Sequence, residues 1–203
     1  MFIYFDMGNV LLHFDHALGC RQIAEVAGVP AEDVRRELFD TGLELRYEAG
    51  ELTTPEFYDA FCQQIGAKPD YQALLRAAGD IFTVNTSIVP VVAALRAAGY
   101  RLGLLSNTCE AHWDYIQKYR YSITSEMFDV ITLSYEVQAM KPDKRIFEAA
   151  AAKAGVPPQE IFFTDDIAGH IAGARAAGFD AEQYTTTPEL VRQLRKRGLR
   201  FNY

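Results

Sequence analysis

Apolar residues in this chain come in two arrangements. In the first, short unbroken runs stop at a polar residue. Phe2-Ile3-Tyr4-Phe5 ends at Asp6, and the loop Met7-Gly8-Asn9 follows. Runs rich in aromatic and β-branched residues, closed by turn formers, read as buried strands. The pattern places strands at Phe2–Asp6, Arg101–Ser106, Asp129–Leu133, Ile161–Asp165 and Ala181–Tyr184. In the second arrangement apolar positions recur at helical spacing, and after residue 85 such helices alternate with the strands. That alternation predicts an α/β protein with a doubly wound parallel sheet.

Helix ends are clearly punctuated. Ala77-Ala78-Gly79, Ala97-Ala98-Gly99 and Ala176-Ala177-Gly178 each offer a glycine that can close a helix in the left-handed conformation. Ala27-Gly28-Val29-Pro30 and Ala154-Gly155-Val156-Pro157 add a proline that cannot continue one. Thr54-Pro55-Glu56 and Thr187-Pro188-Glu189 read as starts, with threonine as cap and proline first in the helix. Another helix begins at Pro142 or Asp143. Residues 15 to 83 differ from the rest, with helical spacing throughout, as at Phe57, Phe61 and Ile65, and no convincing strand. An excursion of about 70 residues is too long for a strand-to-helix loop and predicts a small helical domain. The chain then divides into a core of 1–14 and 84–203 and an insertion of 15–83.

Composition narrows the function classes. At 203 residues, 49% hydrophobic and 23% charged, the chain has the make-up of an ordinary globular protein. The balance is acidic, 27 Asp and Glu against 20 Lys and Arg, which argues against a nucleic-acid partner. The cluster from Arg192 to Arg200 reads as a solvated helix face. No apolar stretch approaches the ~18 residues of a membrane span, and the first residues lack the form of a signal peptide, so no membrane partner is expected. Cys20, Cys62 and Cys109 are scattered, without a Cys-x-x-Cys pair, and read as free thiols of a cytoplasmic protein. None of the four histidines has zinc-site spacing; His13 and His16 are three apart, but no second ligand pair follows.

An acid closing a strand, such as Asp6, is by itself an ordinary turn or cap residue. Three later segments add to it. Arg101 to Thr108 is a strand ending in Ser106-Asn107. Met140-Lys141-Pro142-Asp143 puts a lysine just before a helix. Glu160 to Asp166 is a strand ending in the carboxylate pair Asp165-Asp166, which repels itself unless a cation is present. In order and position these four segments resemble the motifs of the haloacid dehalogenase superfamily, over the whole chain. Asp6-Met7-Gly8-Asn9-Val10 is similar to the first motif of a phosphatase branch that includes glucose-1-phosphate phosphatases and the N-terminal domain of soluble epoxide hydrolases. The resemblance implies a Rossmann-like core and makes the insertion a cap over the active site. The tract from Arg46 to Leu52 looks like a segment of caps in that branch.

The resemblance also implies a chemistry. Asp6 is the nucleophile, forming an aspartyl-phosphate that water hydrolyses. Ser106 and Asn107, with the amides after them, form a phosphate cradle, and Lys141 offsets negative charge. Catalysis then rests on Asp6, Ser106 and Lys141, and substrate binding on Ser106, Asn107 and Lys141. Mg²⁺ is held by Asp6, Asp165, Asp166 and the carbonyl of Gly8, with Asp166 the more direct ligand of the acidic pair. The implied substrate is a small phosphorylated metabolite, a sugar phosphate among them.

Two positions depart from the family pattern. Phosphatases of the superfamily usually carry a second Asp two residues after the nucleophile as general acid and base, and here that position is Gly8. Without it, turnover should favour acidic leaving groups, aryl and sugar 1-phosphates over sugar 6-phosphates. His170 stands where close relatives commonly have Asn; it either replaces the amide's hydrogen bonds or faces solvent. His13 and His16 are linker residues or lie within reach of the leaving group. His112, Trp113, Tyr115, Tyr119 and Tyr121 either pack in the core or line the mouth of the site. Two other readings stay open. A metal-independent haloacid dehalogenase needs no proton donor, but it would not need Asp165-Asp166 either. Gly8 also allows a weak member that binds a phosphorylated ligand or a partner without turnover.

Overall fold

The computed structural model describes residues 1–119 and 121–203. The chain opens with β1 (Phe2–Phe5) and β2 (Leu12–Phe14) and then turns helical: α1 (His16–Ala27), α2 (Ala31–Arg35), a π-turn over Arg36–Asp40, α3 (Leu43–Glu48), α4 (Thr54–Ile65) and α5 (Tyr71–Gly79). It returns through β3 (Phe82–Val84), α6 (Val89–Ala97), β4 (Arg101–Ser106), α7 (Glu110–Lys118), α8 (Ser122–Ser125), β5 (Val130–Leu133) and α9 (Ser134–Val137). The last elements are α10 (Lys144–Ala154), β6 (Ile161–Asp165), α11 (Ala168–Ala176), β7 (Asp180–Gln183) and α12 (Thr187–Lys196).

Among the described residues, five strands form a parallel sheet in the order β5-β4-β1-β6-β7. Each lies within a residue of its expected bounds. Successive strand residues face opposite sides, and both sides are apolar here. Ile3, Phe5, Leu104 and Phe162 pack with Val92 and Leu95 of α6, Ile116 of α7 and Leu190 of α12. Phe2, Tyr4, Ile161 and Phe163 pack with Ile146, Phe147 and Ala150 of α10 and Ile171 and Ala174 of α11. Helices on both faces are what an all-parallel sheet requires. β4 and β5 lie on one side of β1, β6 and β7 on the other. The chain therefore reverses its winding at β1, and the carboxyl end of β1 is the switch point at which such sheets bind ligands.

Helices α1 to α5 share a core of their own that includes Ile23, Val34, Leu38, Leu43, Tyr47, Phe57 and Leu74. The rings of Tyr47 and Phe57 stack at 4.4 Å. Cys109 and Ala111, at the start of α7, join the same cluster, so the helical layer is docked there. Gly50 makes a second contact: its φ is 71°, and a Cβ would lie 3.0 Å from the carbonyl carbon of Tyr135 in α9. Only glycine suits both that conformation and that approach.

Three local expectations are corrected. β2 and β3 pair as an antiparallel ribbon, Leu12 opposite Val84 and Phe14 opposite Phe82, so Phe82 and Thr83 are strand where only helical spacing was read. Strands of three residues carry too little alternation to be recognised in a sequence. The caps of α4 and α12 are Thr53 and Thr186, one residue before the threonines expected. Each cap is followed by a second threonine and, three residues on, by a glutamate, Glu56 and Glu189, and that spacing selects the cap. The second threonines turn inward, Thr54 to Tyr47 Oη at 2.8 Å and Thr187 to Tyr184 Oη at 2.8 Å.

The third correction concerns Gly79. Gly28, Gly99, Gly155 and Gly178 do close helices with positive φ, but Gly79 lies within α5, where an added Cβ would sit 2.6 Å from Cβ of Tyr115. It is a contact glycine. Gly79→Ala should therefore lower the free energy of urea unfolding by about 1–3 kcal/mol through overpacking. Gly169→Ala, on an exposed face of α11 with nothing within 4 Å, should be neutral or stabilising by up to about 1 kcal/mol. Equal effects of the two changes would mean that Tyr115 does not constrain Gly79.

Candidate active site

Asp6 lies one residue beyond β1, and its N–H still donates to the Thr164 carbonyl of β6 at 2.9 Å. Its carboxyl thus leaves the sheet at the switch point. Lys141, in the loop before α10, reaches it through the core. Its Nζ donates to Asp6 Oδ1 at 2.7 Å, to Asp165 Oδ2 at 2.6 Å and to the Leu105 carbonyl at 3.1 Å, which uses all three of its protons. Exposures of 6% for Asp6, 3% for Lys141 and 0% for Asp165 mean that water does little to solvate these charges.

Asn107 holds that loop. Its Nδ2 donates to the Lys141 carbonyl at 3.0 Å, and its Oδ1 accepts from the Lys141 N–H at 2.8 Å. The side-chain amide expected on substrate is therefore committed to positioning the lysine. Ser106 closes β4, buried, with its hydroxyl on the Asn107 carbonyl at 3.2 Å. Asp165 also accepts from the Ile167 N–H at 2.8 Å and contacts His170 Nδ1 at 3.0 Å. His170 is thus a partner of the carboxylate and does not point away into solvent. Asp166 accepts from Asn9 Nδ2 at 3.1 Å and has no ion pair among the described residues.

Oxygens of Asp6, Asp165 and Asp166 lie within 4.8 Å of one another, close enough to share a metal ion. Burial pushes Asp6 up to about 7, against the pull of Lys141 and with Asp165 adding to it. Burial also opposes the charges on Asp165 and Lys141, but their mutual attraction outweighs it. Asp165, aided by His170, is held below the ordinary carboxylate range and Lys141 above the ordinary amine range. Three carboxylates against one lysine leave surplus negative charge. An all-oxygen donor set carrying that surplus fits a hard divalent cation.

Beside the turn Met7-Gly8 is a cavity of about 70 Å³. Asn107, Thr108 and His112 of the core border it, together with His16 and Glu48 of the helical layer. The place beside Gly8 where an aspartate side chain would go is taken by Phe14, whose Cε1 would be 3.0 Å from an added Cβ. Glu48 comes from the end of α3, and its carbonyl accepts from Ser134 Oγ at 2.6 Å. Ser134 Oγ in turn accepts from the Thr108 N–H at 2.9 Å, tying α3 to the end of the second motif. Burial pushes the Glu48 carboxyl up to about 7, with Lys141 opposing. It pushes Glu44 up to about 8, with Glu48 adding, and His112 down to about 4.

Glu44 was not singled out by sequence, and Glu48 only as part of the cap-like tract from Arg46 to Leu52. Acids four apart on a helix ordinarily face water, and only the docked helical layer buries this pair. Of the aromatic cluster after β4, His112 alone borders this cavity. Tyr115 and Tyr119 line a separate groove of about 400 Å³ with Tyr71 and Lys118, Trp113 packs against the sheet core, and Tyr121 Oη donates to the Phe82 carbonyl at 3.1 Å. His13 is exposed on β2, away from the cluster of acids.

Comparison with known proteins agrees with this geometry. Residues 2–178 match the family model of haloacid dehalogenase-like hydrolases. Phosphatase MT3486 of Mycobacterium tuberculosis is 27% identical over 192 residues, covering 88% of this chain and 84% of that protein. A HAD family enzyme of Bacteroides thetaiotaomicron, solved with magnesium and inorganic phosphate, superposes with a TM-score of 0.80 at 25% identity, covering 92% of this chain and 94% of that one. A predicted HAD-like hydrolase of Porphyromonas gingivalis gives 0.82 at 28% identity, covering 96% and 97%. The chain belongs to the haloacid dehalogenase-like hydrolases, and its relatives make it a phosphatase-like member. Among the described residues no helix is long and apolar enough to cross a membrane.

The ion cluster makes a stability prediction. Lys141→Met leaves Asp6 and Asp165 buried without their cation, and breaking such a pair costs about 3–5 kcal/mol. Asp6, already above its unfolded value, then rises further and Asp165 rises above its own, so the penalty grows as pH climbs past the unfolded carboxyl range. Urea unfolding should show the loss largest near about pH 8 and smallest near about pH 5, with Asp6→Asn added to Lys141→Met recovering part of it. A loss independent of pH would show that Lys141 acts through packing alone.

Proposed function

We propose that this protein is a Mg²⁺-dependent phosphatase that hydrolyses a small phosphorylated metabolite. The observation that carries this reading is the buried cluster of Asp6, Lys141, Asp165 and Asp166 at the switch point of the sheet. Asp6 and Asp166, with the Gly8 carbonyl and Asp165 beside them, would hold the ion, which neutralises phosphate charge when bound. Among relatives, a D-ribitol-5-phosphate phosphatase of Bacteroides thetaiotaomicron is 24% identical over 186 residues, which supports a phosphorylated metabolite as substrate. The free thiols of Cys20, Cys62 and Cys109 suit a cytoplasmic protein.

The helical layer of residues 15–83 acts as a cap, closing over the phosphoryl group. An Asp6 oxygen attacks phosphorus, the ester P–O bond breaks, and the alcohol oxygen departs as it takes a proton. Gly8 cannot supply that proton. Glu48 lines the same cavity as Gly8, and burial raises it to about 7, so that part of it carries a proton near neutral pH. We assign it the role of donor; its carboxylate then accepts a proton from the water that attacks the aspartyl-phosphate. Ser106 and the amide that follows it face the phosphate, while Lys141 balances Asp6. A dehalogenase would need neither Glu48 nor a cation, and Asp166, with no ion pair among the described residues, speaks against it.

The reading is tested by phosphate release from an aryl phosphate, which should require Mg²⁺ and vanish in Asp6→Asn. Mg²⁺ should also stabilise the fold by linkage, by about 2.7 kcal/mol at a hundred times its Kd, and so raise the Tm. Asp166→Asn should remove that shift more completely than Asp165→Asn, whose oxygens already serve Lys141 and His170. Absence of a Mg²⁺-dependent shift at millimolar concentration would defeat the metal assignment.

Glu48 has its own test in a series of esters graded by leaving-group acidity. With Glu48 as donor, the preference for acidic leaving groups expected from Gly8 alone should be weak in the native enzyme. Glu48→Gln should slow alkyl phosphates by roughly 10²–10⁴-fold while sparing aryl phosphates. Equal losses on both classes would remove Glu48 from the proton transfer.

A further inference from the structure

Glu44, Cys109 and His112 meet where α3 leans on the start of α7, a place no part of the phosphoryl chemistry uses. A Glu44 oxygen, Sγ of Cys109 and a ring nitrogen of His112 all lie within 4.8 Å of one another. His112 Nε2 is 4.0 Å from Glu44 Oε1. Cys109 is 1% exposed and His112 7%, so the cluster is held inside the seam between helical layer and core. Glu44 has no lysine or arginine within ion-pair distance among the described residues, although it is nearly buried.

We propose that Glu44, Cys109 and His112 form a second metal site, selective for a borderline ion such as Zn²⁺ and distinct from the oxygen site at Asp6. A thiolate and an imidazole beside a carboxylate make a donor set that zinc takes, whereas magnesium prefers oxygen alone. Tetrahedral zinc with bonds of about 2.0–2.3 Å places its ligand atoms roughly 3.3–3.8 Å apart. From a present spacing of up to 4.8 Å, the three side chains need to close by up to about 1.5 Å. Binding displaces the Cys109 thiol proton, and any proton on Glu44, to solvent. His112 also borders the 70 Å³ cavity that Gly8 and Thr108 line. An ion there would clamp α3 to α7. The site stands whether or not the protein is a phosphatase.

The test uses the whole chain with saturating Mg²⁺ occupying the carboxylate cluster. Co²⁺ titration should give one equivalent of a thiolate-to-cobalt charge-transfer band with the visible bands of tetrahedral cobalt, displaced by Zn²⁺. Cys109→Ser and His112→Ala should each weaken binding by more than the roughly 10–100-fold that loss of an outer partner costs. Asp166→Asn and Cys62→Ser should leave the band in place. No band, or a band that survives Cys109→Ser, overturns the site. Should the variants fail to fold, X-ray absorption at the zinc edge of the native protein decides: a coordination shell with one sulfur supports the site, and a shell without sulfur overturns it.

Discussion

Lys141 is buried between Asp6 and Asp165, and most of the core is arranged around that sharing. Taking such charges out of water costs several kcal/mol each, which only close and well-directed pairing offsets. The pairing requires Asp6 at the end of β1, Asp165 at the end of β6 and the Leu105 carbonyl of β4 to converge on one ammonium. Those three strands are adjacent in the sheet, Phe5 lying opposite both Leu104 and Thr164. A slip of one residue would turn an acid to the wrong face and strand the lysine. Asn107 secures the other end with its paired hydrogen bonds to the Lys141 backbone, and the Phe163 ring lies 5.4 Å from Nζ.

Neutralising Asp6 in this way has a chemical consequence. Under the proposed chemistry Asp6 has to be ionised yet not repel a dianion. Lys141 pulls it toward the ionised form against the effect of burial. The remaining surplus of carboxylate sits on Asp166, at the open side of the cluster, where a cation has room to bind. His170 reinforces the division by engaging Asp165 and leaving Asp166 to Asn9.

The helical layer imposes a second constraint. It is joined to the core by polar contacts set in an apolar seam: Tyr47 Oη accepts from the Ala111 N–H at 3.0 Å, Thr54 hydrogen-bonds Glu110, and Ser134 bridges Thr108 and Glu48. These bonds keep the end of α3 close to the second motif and leave Glu44 and Glu48 little water. An acid at this seam is more easily protonated than one on an exposed helix, because burial penalises its charge. The Phe14 ring beside Gly8 completes the arrangement, since the ordinary position of a proton donor is filled by an apolar group.

Much of this was legible in the chain itself. Unbroken apolar runs ending at Asp6, Ser106 and Asp165 named the central strands and the sheet edge where the site lies, because a strand buried on both faces must be apolar throughout. The order of Asp6, Ser106-Asn107, Lys141 and Asp165-Asp166 named the family for the same local reason. Each motif is a short segment that can be read locally, and their order along the chain supplies the specificity that none has alone. The ribbon of β2 and β3, the contact of Gly79 with Tyr115, the commitment of Asn107 to Lys141 and the burial of Glu44, Glu48 and His112 were decided only by tertiary structure. Each depends on which surface the helical layer meets, and a sequence read locally contains periodicities but not the partner that will cover them.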